Sequence, residues 1–116
     1  MKKILWLCLG VLVGSSNASA SSSEDQEEKC LNAMAMAKAA MSIRQQGLPL
    51  SDALKNIQQS YQNGDMSKKE YDLIKMILRD AYSKPKFSTK EYQDESINEY
   101  SAKYYLACME VFDPLN

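Results

Sequence analysis

Four helix breakers punctuate the chain: Gly47 with Pro49, the pair Asn63-Gly64, Pro85, and Asp113-Pro114. Between them, apolar residues recur at intervals of three and four, the repeat of one face of an α-helix. Cys30, Met34, Ala37 and Met41 form one such stripe, and Tyr92, Ser96, Tyr100, Tyr104, Cys108 and Val111 form another. No run shows the strict alternation and β-branched enrichment of a strand. The chain is therefore expected to be all-α, a small up-down bundle of about four helices.

Each segment carries its own start signal. The first helix is expected from about Glu24 to Gln46, rich in Ala and Met, with Ser23 as N-cap. Acidic residues in its first turn complement the helix dipole, and Gly47 supplies the stop. A shorter second helix follows Ser51, read as its N-cap, and turns Ala53, Leu54, Ile57 and Tyr61 inward. Ser67-Lys68-Lys69-Glu70 is a capping box, in which Ser and Glu satisfy each other's free backbone N–H groups. It opens a third helix from Lys68 to about Ser83, with Tyr71, Ile74, Leu78 and Ala81 facing the core. A second box, Ser88-Thr89-Lys90-Glu91, opens the last helix, which Asp113-Pro114 closes.

The first twenty residues read as an address. Lys2 and Lys3 precede an uncharged apolar run from Ile4 to Val13, and Ala18 and Ala20 fit the small-residue pattern of a cleavage site. The run is about half the ~20 apolar residues needed to span a bilayer. Leu7 before Cys8 is too bulky for a lipoprotein signal. Cleavage after Ala20 is expected, leaving residues 21–116 as a single helical domain without a stable membrane anchor. That domain has 96 residues, 12 basic and 15 acidic groups, and a net charge of -3. Trp6 and Cys8 leave with the signal, so Cys30 and Cys108 remain as an even pair. In a secreted chain of this size an even pair reads as a disulfide. A bridge needs Cα atoms within about 7 Å, which antiparallel first and last helices provide. Closing so long a loop is worth about 4 kcal/mol on the chain-entropy model. The expected location is the bacterial periplasm or beyond it.

Composition narrows the function. The chain has no His, which removes the commonest general base and the usual zinc ligand. Its charge gives no basic footprint for nucleic acid. Met34, Met36 and Met41 are soft-metal ligand types, but Met34 and Met36 point to different faces and read as packing. The clusters Glu24-Asp25-Glu27-Glu28 and Asp94-Glu95-Glu99 lack a calcium-loop pattern and read as solvated helix faces. Arg44 is placed to bond the last carbonyls of its own helix. No linear catalytic motif is present, and no enzyme, cofactor or metal site is expected.

Tyr61, Tyr71, Tyr82, Tyr92, Tyr100, Tyr104 and Tyr105 all lie after Ala20. Tyr100 and Tyr104 sit on the buried stripe, whereas Tyr105 lies off it and is the better surface candidate. Lys84-Pro85-Lys86-Phe87 offers an aromatic flanked by cations between two helices. Phe87 there is also positioned to staple the helix beginning at Ser88. Tyr105, Phe87, Lys84 and Lys86 are the candidate partner-binding residues.

Cys30 before an Ala/Met-rich helix, Ile43-Arg44-Gln45-Gln46-Gly47, Ala81-Tyr82 with Pro85, and Cys108 near the end carry a resemblance. With them the chain resembles small secreted all-α proteins of gammaproteobacteria. The resemblance implies secretion and helical architecture and brings no activity. In size, secretion and helicity the chain is also similar to type VI secretion amidase immunity proteins and to periplasmic acid-stress chaperones. The function expected is recognition of another protein, as an inhibitor or immunity factor. A chaperone that holds clients at low pH is the alternative. A homodimer packing Tyr-bearing faces is a further way to use the same surface.

Overall fold

A computed structural model describes the backbone of residues 2–112 and the side chains of residues 24–111. The expected stop at Asp113-Pro114 lies outside the described residues, as do the side chains of the expected signal. Four helices follow one another: α1 (Lys2–Gln46), α2 (Leu50–Gln62), α3 (Lys68–Tyr82) and α4 (Lys90–Phe112). The fold is an all-α four-helix bundle, and the Cys30–Cys108 disulfide joins α1 to α4 with Cα atoms 5.4 Å apart.

Helix ends follow the punctuation closely. At the end of α1, Gly47 takes φ 87°, its N–H donates to the Arg44 carbonyl at 3.1 Å, and the Leu48 N–H donates to the Ile43 carbonyl at 3.4 Å. This is a Schellman closure, which needs the left-handed backbone that Gly adopts without a Cβ clash. Gly64, at φ 83°, closes α2 in the same way through Asp65 N–H to the Ser60 carbonyl. At Ser67 the capping box forms in full, with Glu70 N–H to Ser67 Oγ at 3.2 Å and Ser67 N–H to Glu70 Oε1 at 3.0 Å.

Three expected starts are corrected. Ser23 is not an N-cap but lies inside α1, since no proline or closing glycine separates it from the residues before. The N-cap of α2 is Pro49, not Ser51: the Pro49 carbonyl accepts from Asp52 and Ala53 N–H, and the fixed proline φ launches the helix one residue before Ser51. At α4, Thr89 Oγ1 receives the Tyr92 N–H at 3.4 Å, so the box predicted on Ser88 and Glu91 gives way to a one-sided cap. The residue three beyond Thr89 is Tyr92, which has no carboxylate to return the bond.

The helices alternate up and down. Tyr105 pairs with Glu27 midway along α1, and Phe87 pairs with Gln45 near its C-terminal end, so α4 runs antiparallel to α1. Ala35 and Ala39 of α1 face Glu70 and Ile74 of α3, while Arg44 meets Lys84, so α1 and α3 run parallel. Stacked Tyr61 and Tyr71 rings join the end of α2 to the start of α3, and Tyr82 donates to the Leu48 carbonyl at the opposite end. In space the order is α4, α1, α3, α2. The disulfide therefore clamps α4 directly on α1, with α2 outermost beyond α3.

The core is Ala37, Ala40, Met41, Ala53, Ile77, Leu78, Ala81 and Tyr100. Four alanines let the helix backbones approach closely, while Met41, Ile77 and Leu78 fill the volume. Ile77 extends the expected α3 stripe because α3 packs on α1 with one flank and on α2 with the other. At both ends of the α4 stripe the pattern overstates burial: Tyr92 is exposed and Val111 is 80% exposed. Val111 projects from the side of α4 that meets α3 farther up, at a level α3 does not reach.

Candidate functional site

The turn between α3 and α4 is held by one buried side chain. Gln45, 3% exposed in the last turn of α1, accepts the Phe87 N–H on Oε1 at 2.8 Å. Its Nε2 donates to the Pro85 carbonyl at 2.9 Å and to Met41 Sδ at 3.3 Å. One amide thus satisfies the backbone of residues 85 and 87 as a neighbouring β-strand would. Beside it, Arg44 Nε donates to the Lys84 carbonyl at 3.2 Å, and the guanidinium lies 5.4 Å from the Tyr82 ring centroid. Arg44 therefore serves the end of α3 rather than its own helix end. The parallel course of α1 and α3 brings both C-terminal ends to one level, within reach of one cation.

This fixed turn forms one wall of an open groove of about 390 Å³. Lys84, Pro85 and Phe87 line one side, Tyr92, Glu95, Ser96, Glu99 and Lys103 of α4 line the other, and Met41 and Tyr100 contribute from the core. The Phe87 and Tyr92 rings are both exposed, and their centroids lie 6.0 Å apart in a tilted pair. With Thr89 as the cap, Phe87 and Tyr92 stand at N″ and N3, so this is a ring contact across the helix start and not the N′–N4 staple expected for a cap at Ser88. Gln93 Nε2 also donates to the Phe87 carbonyl at 2.7 Å, fixing the ring's backbone from both sides.

Behind the groove, three side chains tie α4 to α3. The Tyr100 hydroxyl donates to Asp80 Oδ2 at 2.7 Å, and the Tyr104 hydroxyl donates to the same oxygen at 3.1 Å. Burial pushes the Tyr100 hydroxyl well above the ordinary tyrosine range, and its contacts with Tyr104 and Asp80 add to the rise. Burial likewise raises Tyr104. Both groups remain protonated donors to a carboxylate, the strong form of hydrogen bond.

The four sequence candidates do not form one site. Lys84 and Phe87 line the groove. Lys86 folds away from it, its Nζ lying 2.9 Å from where a Cβ on Gly47 would stand, beside the negative end of α1. Tyr105 is away from the groove, toward the C-terminal end of α4 and half-buried, with its hydroxyl donating to Glu27 Oε1 at 3.2 Å; burial and that bond raise its pKa. Tyr92, Glu95, Glu99 and Lys103 also line the groove and carry no partner-binding signal in the sequence, although Tyr92 stands five residues from Phe87. Met41 and Met36 face different grooves on opposite sides of α1. Among the described residues no three His, Cys, Asp or Glu side chains are grouped to hold a metal ion, and no helix is long and apolar enough to cross a membrane. Comparison with known protein families, curated proteins and solved structures finds no match to the chain.

Proposed function

We propose that the protein is a non-enzymatic binding domain of the bacterial envelope that recognises another protein through this groove, as an inhibitor or immunity-type factor. The supporting observation is the pairing of two exposed aromatic rings, Phe87 and Tyr92, on a wall fixed by Gln45. Aromatics held in one geometry contribute contact area at low ordering cost, the property of interface anchors. Lys84 and Lys103 balance Glu95 and Glu99 in the groove lining, so a preference for a basic partner rests on the charge of -3 over residues 21–116. The disulfide is consistent with an oxidising compartment, periplasmic or extracellular. The test is a pull-down from periplasmic extract with the oxidised protein and with a Phe87→Ala, Tyr92→Ala variant. A stoichiometric partner retained by the first and lost by the second is expected. No partner with either, or equal recovery by both, argues against the reading.

A second reading, a chaperone that acts in acid, draws on composition: 12 basic against 15 acidic groups over residues 21–116 leave the domain strongly positive once carboxylates are neutralised. Aggregation of a client protein at about pH 2–3, measured with and without the domain, tests it. Unchanged aggregation eliminates it.

A further inference from the structure

Cys30 and Cys108 lie outside the core that the helices share. The start of α3 is level with Ala35 and Ala39 of α1, which it meets through Glu70 and Ile74. Because the two helices run parallel, α1 residues before Ala35 project past the start of α3. Cys30 stands five residues earlier, about 7 Å farther along the helix. On α4, Tyr104 is the last described side chain hydrogen-bonded to α3. Beyond these levels α1 and α4 continue as a two-helix extension, joined by the disulfide and by the exposed Tyr105–Glu27 hydrogen bond. Leu31, Leu106 and Val111 on this extension are exposed and Met34 and Met109 only half-buried, which leaves the bridged Cys30 as its one fully buried side chain among the described residues. Two short helices without a third layer are marginal by themselves. A covalent bond supplies what packing there does not.

We propose that Cys30–Cys108 is a redox-operated lock: a dithiol opens it, the extension separates locally, and the bundle around Ala37, Met41, Ile77 and Tyr100 stays folded. Access to the bond is one-sided, since Cys30 is fully buried and Cys108 is partly exposed. The incoming thiolate bonds to Sγ of Cys108, the S–S bond breaks, and Cys30 leaves as a thiolate that takes up a proton. The second thiol of the reductant then displaces Cys108, which is also protonated, and the reductant departs as its cyclic disulfide. Two electrons pass from the dithiol to the protein. The groove lies toward the C-terminal end of α1, away from Cys30, beside Met41 and the turn at residues 84–87, and keeps its form.

Hydrogen–deuterium exchange of the full chain, oxidised and after dithiothreitol, tests the lock. Amides of residues 105–112 are expected to exchange at least about tenfold faster after reduction, while those of residues 37–45 and 74–82 change less than about threefold. Equal acceleration through all four helices would make the bond a staple of the whole fold and overturn the proposal, as would no acceleration anywhere. Glutathione, a monothiol, gives a second readout: the mixed disulfide is expected on Cys108, and an adduct mainly on Cys30 refutes the one-sided opening.

Discussion

Gln45 offers the sharpest perturbation of the groove. Replacing it by Leu keeps the volume at a 3% exposed position but removes both the acceptor for Phe87 N–H and the donor to the Pro85 carbonyl. A backbone group left without its partner costs about 1–3 kcal/mol. Both groups are only part-buried, so the low end applies, and two of them give about 2 kcal/mol. For a domain of this size that is a drop of about 8–16 °C in Tm. Gln45→Glu is more diagnostic. The introduced carboxylate still accepts from Phe87 but sets its second oxygen against the Pro85 carbonyl, whereas the protonated acid restores a donor. Folding therefore favours the protonated form and raises the introduced group's pKa above its unfolded value near 4.3. Stability referred to that form is fully present below pH ~4.3 and is lost as pH rises through the folded value. Thermal unfolding followed by circular dichroism under non-reducing conditions reads both variants at pH 7 and pH 4. The Glu variant is expected to lose more than the Leu variant at pH 7 and to recover most of the gap at pH 4. A Leu variant as stable as the parent, or a Glu variant whose deficit ignores pH, would refute the clamp.

Tyr100→Phe removes a bond to a carboxylate acceptor and should cost about 1.5–3 kcal/mol by urea denaturation near neutral pH. The raised pKa of Tyr100 implies stability that is fully present below the unfolded tyrosine value near 10 and is lost above it. The parent's Tm should therefore fall more steeply above pH 10 than the variant's; parallel profiles would contradict this. Ser67→Ala opens the capping box and should cost about 1 kcal/mol, with no effect on the groove. Gly64→Ala, whose Cβ would meet open space, should lose about 1 kcal/mol from the left-handed backbone alone, so a neutral result would place the turn elsewhere.

The helices were legible because each break in the sequence has a local cause. Gly47 and Gly64 terminate helices through their own backbone freedom, and Ser67 with Glu70 begins one through bonds three residues apart. Where two signals competed within one turn, the boundary moved by two residues at Pro49 against Ser51 and by one at Thr89 against Ser88. The disulfide followed from counting cysteines, and it fixed the antiparallel pairing of α1 and α4. The groove was only half legible. Phe87 and Lys84 stood out by composition, but Gln45 is a polar residue at a helix end whose partners lie 40 and 42 residues away. Its spacing of four from Met41 puts it on the buried stripe, unlike exposed Gln46, but spacing does not reveal which distant backbone groups it meets. Asp80 was hidden for the same reason, since two tyrosines of α4 give it its role.

Site-specific photocrosslinking reaches the proposed function most directly. A benzoyl-phenylalanine placed at Phe87 in the oxidised full chain should capture one discrete partner protein when irradiated in periplasmic extract. The same group at Lys55, on the exposed face of α2, should capture none. Identical adducts from both positions, no adduct from either, or an adduct to a second copy of the chain alone would contradict recognition of another protein at this groove.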